Sequence, residues 1–387
     1  MPLLALLAFL FSCAPEDLEG LEGELLTVTE PALDAEGMKE PAAKPEDAVK
    51  NWIYAMAHPS GLLESAENTN FVSLYDNALA AIFFMEEGHR QRAERIFDFF
   101  DARMETELLA GTGGFFQFRD VTGGQGSRRW PGDNAWLLLA LNQYHYRYGT
   151  HKYKELRDQL ELWIRSLQEA DGALVGGYNE DGTVIPKVTE GMITAFKAVP
   201  GHDHFHRNLL KYLKHHRWDE ELKILLSWPE NPSYAHALDV HTLGSLIFPG
   251  MAPTLLPEAQ RFKTTQTLLV NGTQIQGYCF DEDRDVIWLE GTAQMAVALN
   301  AHKDQSAKQR LVREVGASVM GSALHPGTQG VPYASNHGSN YGASPLWDHA
   351  ATAPALSATL WYIFAKEGIN PFFSDAPGNI PEEDRFW

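Results

Sequence analysis

The chain has 387 residues, of which 44% are hydrophobic and 21% charged, enough apolar side chain for a large packed core, and its formal charge is −20 at pH 7. So acidic a surface repels phosphate backbones, which sets nucleic-acid binding aside and favours neutral or cationic partners; an anionic glycan would need a local basic patch. The only cysteines, Cys13 and Cys279, are far apart, so there is neither a disulfide framework nor a CxxC metal site.

The chain opens with MPLLALLAFLFSC. That apolar run is too short to span a bilayer as a finished anchor. It reads as the core of a secretory signal with a processing site at its end; a buried N-terminal helix is the plainer alternative. Its last four residues, Leu10-Phe11-Ser12-Cys13, resemble a bacterial lipobox. The resemblance implies a signal peptide over 1–12, lipidation of Cys13 and, with Ala14 rather than Asp next, sorting to the outer membrane. Residues 13–45 are acidic, contain proline and lack aromatics, the composition of a flexible tether. A globular domain is therefore expected over 46–387, held at the bacterial cell envelope and touching the membrane through its lipid alone.

From there on, helix-period apolar patterns dominate. VSLYDNALAAIFFMEEG is closed by Gly88 and followed by HRQRAERIFDFFDARM, with Ile96, Phe99, Phe100 and Met104 on one face. Then come DNAWLLLALNQYHYRYG, YKELRDQLELWIRSLQ, TEGMITAFKAV, FHRNLLKYLKHHRW, HALDVHTLGSLIF, EGTAQMAVALNAH, SAKQRLVREVGASVMG and ATAPALSATLWYIFAKEG. Strand signals are few, chiefly GGFFQFRD and RDVIWLE. The fold class is all-α. Half of these helices are apolar all round (AWLLLAL, TAQMAVAL, LSATLWYIF) and half are amphipathic and charged (RQRAERIFDFF, KELRDQLELWI, KQRLVREV). A helix apolar all round is buried on every side and an amphipathic one faces water, so alternating them predicts an inner ring inside an outer ring.

The inner helices repeat a start: Asp76-Asn77-Ala78, Asp133-Asn134-Ala135, Glu190-Gly191-Met192, Asp239-Val240-His241 and Glu290-Gly291-Thr292, with Trp347-Asp348-His349 as a sixth. The acidic residues are 57, 57, 49, 51 and 58 positions apart, a spacing that fits two helices and a loop. Six hairpins close into a ring whose inner helices all start at the same end, so the acidic positions are expected to converge on one mouth.

The alternation and the starts YDNALAA, GDNAWLLLAL, TEGMITAF, ALDVHTLG and WLEGTAQMA resemble the six-hairpin glycosidase superfamily, the (α/α)6 toroids, over about residues 70–366. TEGM is similar to the segment that carries the catalytic acid in glycoside hydrolase family 8, and GDNAWLLLAL to that family's Asp-bearing inner helix. The order is reversed here, so only the superfamily carries over. The resemblance implies a funnel lined by the helix N-termini, with a carboxylate pair acting on a glycosidic bond. Such toroids also include unsaturated-uronide hydrolases, polysaccharide lyases and sugar epimerases, so the fold alone does not fix the reaction.

For Asp76, Asp133 and Asp239 the bland reading is N-capping, which Asp does well. The neighbouring Tyr75, Trp130 and His241 favour sugar-stacking and hydrogen-bonding roles. In VTEGM the cap falls more naturally to Thr189, leaving Glu190 in the first turn. In WLEGT, Glu290 sits among Trp288, Leu289 and Gly291, where desolvation raises a carboxyl pKa as a general acid requires, while the helix N-terminus acts the other way. The expectation is Glu290 or Glu190 as acid and Asp133 as base or nucleophile, their separation deciding between retention at roughly 5 Å and inversion at about 6.5–9.5 Å.

The run GHDHFHRNLLKYLKHH reads as a solvated loop before Phe205 rather than a metal site on His202 and His206. His241 and His349 are better placed to touch sugar hydroxyls or, in an epimerase, to move protons. The long loop from His325 is expected over the mouth, with Tyr333, Asn336, His337, Tyr341 and Trp347 available for stacking and hydroxyl contacts. Arg128 and Arg129 are the basic spot nearest the mouth. Cys279 in GYCFDED reads as a bystander rather than a nucleophile. The expected protein is a monomeric, lipid-anchored, extracytoplasmic glycoside hydrolase with a carbohydrate substrate and neither metal nor organic cofactor. The alternatives are a uronide hydrolase, lyase or epimerase on the same toroid, or a non-catalytic glycan-binding envelope lipoprotein.

Overall fold

The computed structural model describes residues 47–124, 126–338, 350–372 and 380–387. The signal peptide, Cys13 and the tether, as well as Tyr341, Trp347, Asp348 and His349, lie outside the described residues.

Twelve α-helices among the described residues form two concentric rings: α1 Ala48–Ala55, α2 Leu74–Glu86, α3 Arg90–Asp101, α4 Pro131–Tyr148, α5 Lys154–Ser166, α6 Thr189–Ala198, α7 His204–His216, α8 Leu238–Ile247, α9 Ala252–Glu258, α10 Leu289–Ala301, α11 Gln305–Gly316 and α12 Leu356–Glu367. The even-numbered helices form the inner ring. Each packs on the next, and α12 returns to α2 to close the circle. The odd-numbered helices lie outside, with α3, α5, α7, α9 and α11 backing the inner helix before each of them and α1 backing α12. This is the (α/α)6 toroid.

Side-chain character sorts the rings. In α2 every residue from Leu74 to Met85 is buried, and in α8 the whole helix is. A helix with no polar face has no stable place on a surface, so the inner position is the only one that removes all of its apolar area from water. In α5 only Leu156, Leu160, Trp163 and Ile164 are buried, one stripe at helical spacing. The outer helices are covered on that stripe and wet elsewhere.

Four features differ from the sequence expectation. Helices α1 and α9, of eight and seven residues, do not stand out in the sequence because neither is long enough to repeat the 3.6-residue period clearly, and α9 also carries Pro257. The hairpin Lys263–Thr267/Gln274–Tyr278 is not among the expected strands; its turn is marked by Asn271-Gly272, with Gly272 at φ +73°. GGFFQFRD contributes only the short strand Phe118–Arg119, paired with Val72–Ser73, and RDVIWLE makes an isolated bridge from Trp288 to Ala334. The histidine run is helix from His204 onward: Asp203 and His206 close a capping box, and His206 is buried with its other ring nitrogen on the Val199 carbonyl. His202 lies ahead of that helix and pairs with Asp384, so the two histidines do not share a helical face.

The repeated Asp-Asn start has a repeated job. Asn77 accepts from the Leu63 amide at 2.9 Å and donates to the carbonyls of Leu63 and Ser73 at 3.0 Å each. Asn134 accepts from the Phe115 amide at 2.9 Å and donates to Phe115 and Trp130 carbonyls at 3.0 and 2.8 Å. Each asparagine ties the loop before its helix to the helix start, which fixes the direction of the acidic residue beside it. Because both sites are buried, losing either side chain strands two or three backbone groups without partners. Asn77→Ala and Asn134→Ala are each expected to destabilise the fold by about 2–4 kcal/mol in urea titration, against less than about 0.5 kcal/mol for a surface change such as Glu105→Ala.

Candidate active site

The first turns of α2, α4, α6, α8 and α10 open onto one pocket, walled by Tyr75, Gln117, Trp130, Asp133, Trp136, Val188, Glu190, Asp239, Leu243, Phe280, Trp288, Glu290, Gln294 and Tyr333. Four carboxyls from four successive inner helices thus share one pocket. None of the acidic starts is an N-cap. The caps are Ser73, Trp130, Val188, Ala237 and Trp288, and the acids sit two or three residues further in. Thr189 does not cap α6 either; its hydroxyl donates to the Leu226 and Ser227 carbonyls. Extended residues carry the chain into each helix, so the acids are free to face the cavity.

Glycine permits the approach of neighbouring first turns. A Cβ on Gly132 would fall 2.6 Å from Glu190 Oε2 and 2.8 Å from Trp130 Nε1, and one on Gly191 would fall 3.1 Å from Pro131 Cγ. With both bare, the indole of Trp130 donates to Glu190 Oε2 at 3.2 Å while Thr194, one turn along α6, donates to Oε1 at 3.0 Å.

Glu290 is the most elaborately held carboxyl. Tyr75 donates to its Oε1 at 2.7 Å and Gln294, at i+4 on α10, donates to the same oxygen at 3.1 Å. Trp361 on α12 donates to the Tyr75 hydroxyl at 2.5 Å, and Thr242 on α8 donates to the Gln294 side-chain oxygen at 2.9 Å. Burial pushes Glu290 up to about 7, and Ser357, Tyr75, Gln294 and Trp288 act in the opposite direction. The Tyr75 hydroxyl is itself pushed well above its usual range by burial and by the Glu290 charge, so it keeps its proton.

Asp133 has a poorer environment for a charge. Its Oδ1 accepts from Gln117 at 3.2 Å, Gln117 in turn accepting from Arg128, and its Oδ2 is buried without a partner. Burial, then the Glu190 charge, hold it well above the usual carboxylate range despite the Arg128 guanidinium behind Gln117. These surroundings favour the protonated form of Asp133. The sequence expectation for Asp133 was base or nucleophile; burial and the Glu190 charge act against its anion. Asp239 is pushed up to about 8 by burial and the Glu190 charge, against a hydrogen bond of 2.6 Å from the Val240 amide. Glu190 is raised by burial, with Trp130 and Thr194 opposing.

Of the residues singled out from sequence, the cavity gathers Asp133, Glu190, Glu290, Asp239, Tyr75, Trp130, Trp288 and Tyr333. Asp76 is fully buried behind it, held well above its ordinary pKa by burial. Arg128 donates to the Gln117 side-chain oxygen and lies with its guanidinium 5.6 Å from the Trp130 ring centre. Arg129 turns away, donating to the Gly114 carbonyl at 3.1 Å with its guanidinium 4.2 Å from the Phe116 ring centre. His241 points outward: its Nδ1 pairs with the Leu255 carbonyl of α9 at 3.0 Å, and burial lowers it to about 4, so it stays neutral. The helical period decides this, because two positions beyond Asp239 lie on the other side of the helix. His337 is exposed. Asp348 stands eight positions ahead of α12, whose first turn carries Ser357 instead of an acid. The thiol of Cys279 is buried and pushed up by burial and the Asp281 charge, which leaves it without nucleophilic character. Sequence reasoning missed Gln294, which its i+4 spacing from Glu290 identifies, and Gln117, for which FFQF gives no comparable signal.

Neither a protein-family model nor a curated protein sequence matches this chain. Solved structures do. A wild-type glycosidase superposes with a TM-score of 0.60 at 14% identity, over 83% of this chain and 95% of its own. A novel alpha-amylase from Clostridium perfringens gives 0.58 at 11% identity, over 86% and 100%. Cellobiose 2-epimerase from Bacillus thermoamylovorans B4167 gives 0.53 at 12% identity, over 82% and 95%. At these identities the likeness is one of fold.

Removing the Tyr75 hydroxyl takes a charge-directed hydrogen bond from Glu290. Tyr75→Phe is expected to raise the Glu290 proton affinity roughly tenfold or more, measured as a pH-dependent carboxyl band in infrared difference spectra that is missing from Glu290→Gln.

Proposed function

We propose that this protein is a glycoside hydrolase in which Asp133 is the general acid and Glu290 the base or nucleophile. The observation that carries the reading is the contrast between these two carboxyls. Helices α4 and α10 stand three places apart in a ring of six, so the two groups face each other across the cavity. Each has one buried oxygen without a partner, but Asp133 accepts only from Gln117 and is raised by burial and the Glu190 charge, whereas Glu290 Oε1 accepts from both Tyr75 and Gln294, which favour its anion. Environments that push two titratable groups apart assign acid and base. A sugar lying between them, stacked on Trp130 and Trp288, receives the Asp133 proton on its glycosidic oxygen. The anomeric carbon is then met from the other side by Glu290 or by water that Glu290 deprotonates.

The alternatives fit the site less well. The histidine through which an epimerase was expected to move protons, His241, points away from the pocket. A lyase or uronide hydrolase acts on an anion. Yet no lysine or arginine lines the cavity among the described residues, and Tyr75 holds its proton too tightly to be a base. The glycosidase and amylase among the structural neighbours support a glycan substrate.

The role assignment is tested by leaving group. Asp133→Asn should cut kcat on natural-type glycosides by about 10²–10⁴ and much less on aryl glycosides whose phenol leaves unprotonated, whereas Glu290→Gln should inactivate both. The reverse pattern would exchange the roles, and full turnover in both variants would leave a sugar-binding protein without catalysis.

We also infer attachment at the outside of a bacterial membrane through Cys13, on the strength of the Leu10-Phe11-Ser12-Cys13 motif and the tether-like composition after it. Cys13→Ala is expected to abolish incorporation of labelled fatty acid and to move the protein from the membrane fraction to the soluble fraction; a protein that stays in the membrane without label refutes this.

A further inference from the structure

Gln117 donates to Asp133 Oδ1 at 3.2 Å, and its own side-chain oxygen accepts from Nε of Arg128. A glutamine amide has an end that only donates and an end that only accepts, and turning it over exchanges them. A guanidinium has donors alone. With Arg128 on one side, the amide has to give its oxygen to the guanidinium and its NH2 to Asp133; the reverse would set N–H against N–H. The orientation of Gln117 therefore follows from the chemistry of Arg128.

The three side chains are built into the wall. Gln117, Asp133 and Arg128 are 1%, 3% and 8% exposed. The backbone of Gln117 donates to the Arg128 carbonyl at 2.8 Å and accepts from the Leu74 amide, at the start of α2, at 2.9 Å. The guanidinium lies 5.5 and 5.6 Å from the ring centres of Phe118 and Trp130, which hold it between two aromatic side chains.

A protonated carboxyl has one oxygen that accepts and one that donates. Oδ1 of Asp133 faces an NH2 that can only donate, so it is the carbonyl oxygen of the acid. The proton is then on Oδ2, which is buried and has no partner in the protein. Turned over, Gln117 would accept that proton through Oδ1 and hold it away from the sugar.

Resting on the hydrolase reading, we propose that Arg128 is a positioning residue for the general acid: by fixing the Gln117 amide it places the acid proton of Asp133 on Oδ2, the oxygen that delivers it to the glycosidic oxygen. As the glycosidic oxygen parts from the anomeric carbon it takes this proton, the Oδ2–H bond breaks, and Asp133 is left as an anion with Gln117 still donating to Oδ1.

The test compares methyl with dinitrophenyl glycosides of D-glucose, D-galactose and D-mannose on the full-length protein. Arg128→Met and Gln117→Met should each lower kcat on the methyl glycosides at least about tenfold, with KM and the dinitrophenyl rates changed less than about threefold. Arg128→Lys, which keeps a donor, should restore kcat to within about threefold of wild type, and Arg128→Met should add less than about threefold to Gln117→Met, because it acts through that amide. Circular dichroism and melting curves establish that the variants are folded. Neutron diffraction from the deuterated wild-type protein at mildly acidic pH needs neither variant nor turnover: it should place the Gln117 ND2 against Asp133 Oδ1 and the acid deuteron on Oδ2. A deuteron on Oδ1 or none on Asp133, an amide turned the other way, additive losses, or equal losses on both leaving groups overturns the proposal. An Asp133→Asn variant that loses only the methyl glycosides, beside an Arg128→Met variant that loses nothing, would sink this inference alone. The expected deuteron positions in a protein that turns over no glycoside would sink only the hydrolase.

Discussion

Four buried carboxyls line one pocket, where burial disfavours the anion of each, and the chemistry of the site follows from how the protein distributes the protons among them. Two opposing forces act on each. The helix N-terminus that carries it favours the anion, a contribution of about 0.3–1 kcal/mol that reaches up to about 2 when partly buried. Desolvation and the neighbouring carboxyls favour the protonated form and shift buried groups by up to 3–5 pKa units in the strongest cases. Here burial is the leading influence on Asp133, Glu190, Asp239 and Glu290 alike, and each is raised. The helix dipole is the same for all four. What separates them is the donors and charges each one faces: the Glu190 charge raises Asp133 and Asp239, while side-chain donors act on Glu190 and Glu290, and this makes the second row of residues, Trp130, Thr194, Tyr75 and Gln294, as important to the chemistry as the acids.

Those donors are positioned by the ring itself. Glu290 on α10 is held through Tyr75 on α2, which is held through Trp361 on α12, so three inner helices meet in one chain of hydrogen bonds. On its other side Gln294 is held by Thr242 of α8. A group braced from α2, α8, α10 and α12 can move only if the closure of the toroid moves with it. Glu190 is braced from α4 and from its own helix, and only because Gly132 leaves room for the carboxylate beside the Trp130 indole. The same closure that buries the apolar inner helices therefore preorganises the carboxyls, and it removes most of the water that would otherwise level their differences.

Much of this is legible in the sequence because the repeat is a physical one. All-round apolar helices must lie inside, and the recurring acid at each start must lie at one end, so the toroid and the convergence of Asp133, Glu190, Asp239 and Glu290 follow from periodicity and spacing. The Asp-Asn pair repeats because Asn77 and Asn134 do the same backbone work. The parts that were not legible depend on contacts between distant segments. Proton affinity is one: nothing in WPGDNAW says that Asp133 will face Gln117 with one oxygen and nothing with the other. Short elements are another, since α1 and α9 owe their helicity to packing against α12 and α8 rather than to their own pattern. His241 was misjudged for a local reason, as being two residues from an acid in a helix means facing away from it.

A glycosidase, an amylase and an epimerase sharing this architecture show that the ring does not choose the reaction. The choice lies in what each inner helix presents in its first two turns, and that is a small vocabulary. A histidine there makes the mouth a place for moving protons near neutrality; a lysine or arginine makes it a seat for anions. In this chain the same positions hold Asp133, Glu190, Asp239 and Glu290, and His241 is rotated out of the mouth by its place on α8. A wall built this way can give up a proton, accept one, and hold positive charge, including the charge that develops on a sugar ring as its glycosidic bond breaks. The surplus of carboxyls and the absence of any basic side chain among the described lining residues are thus one fact with two consequences. Under the proposed hydrolase reading they favour positive charge developing on a sugar ring, and they disfavour a sugar that is itself anionic.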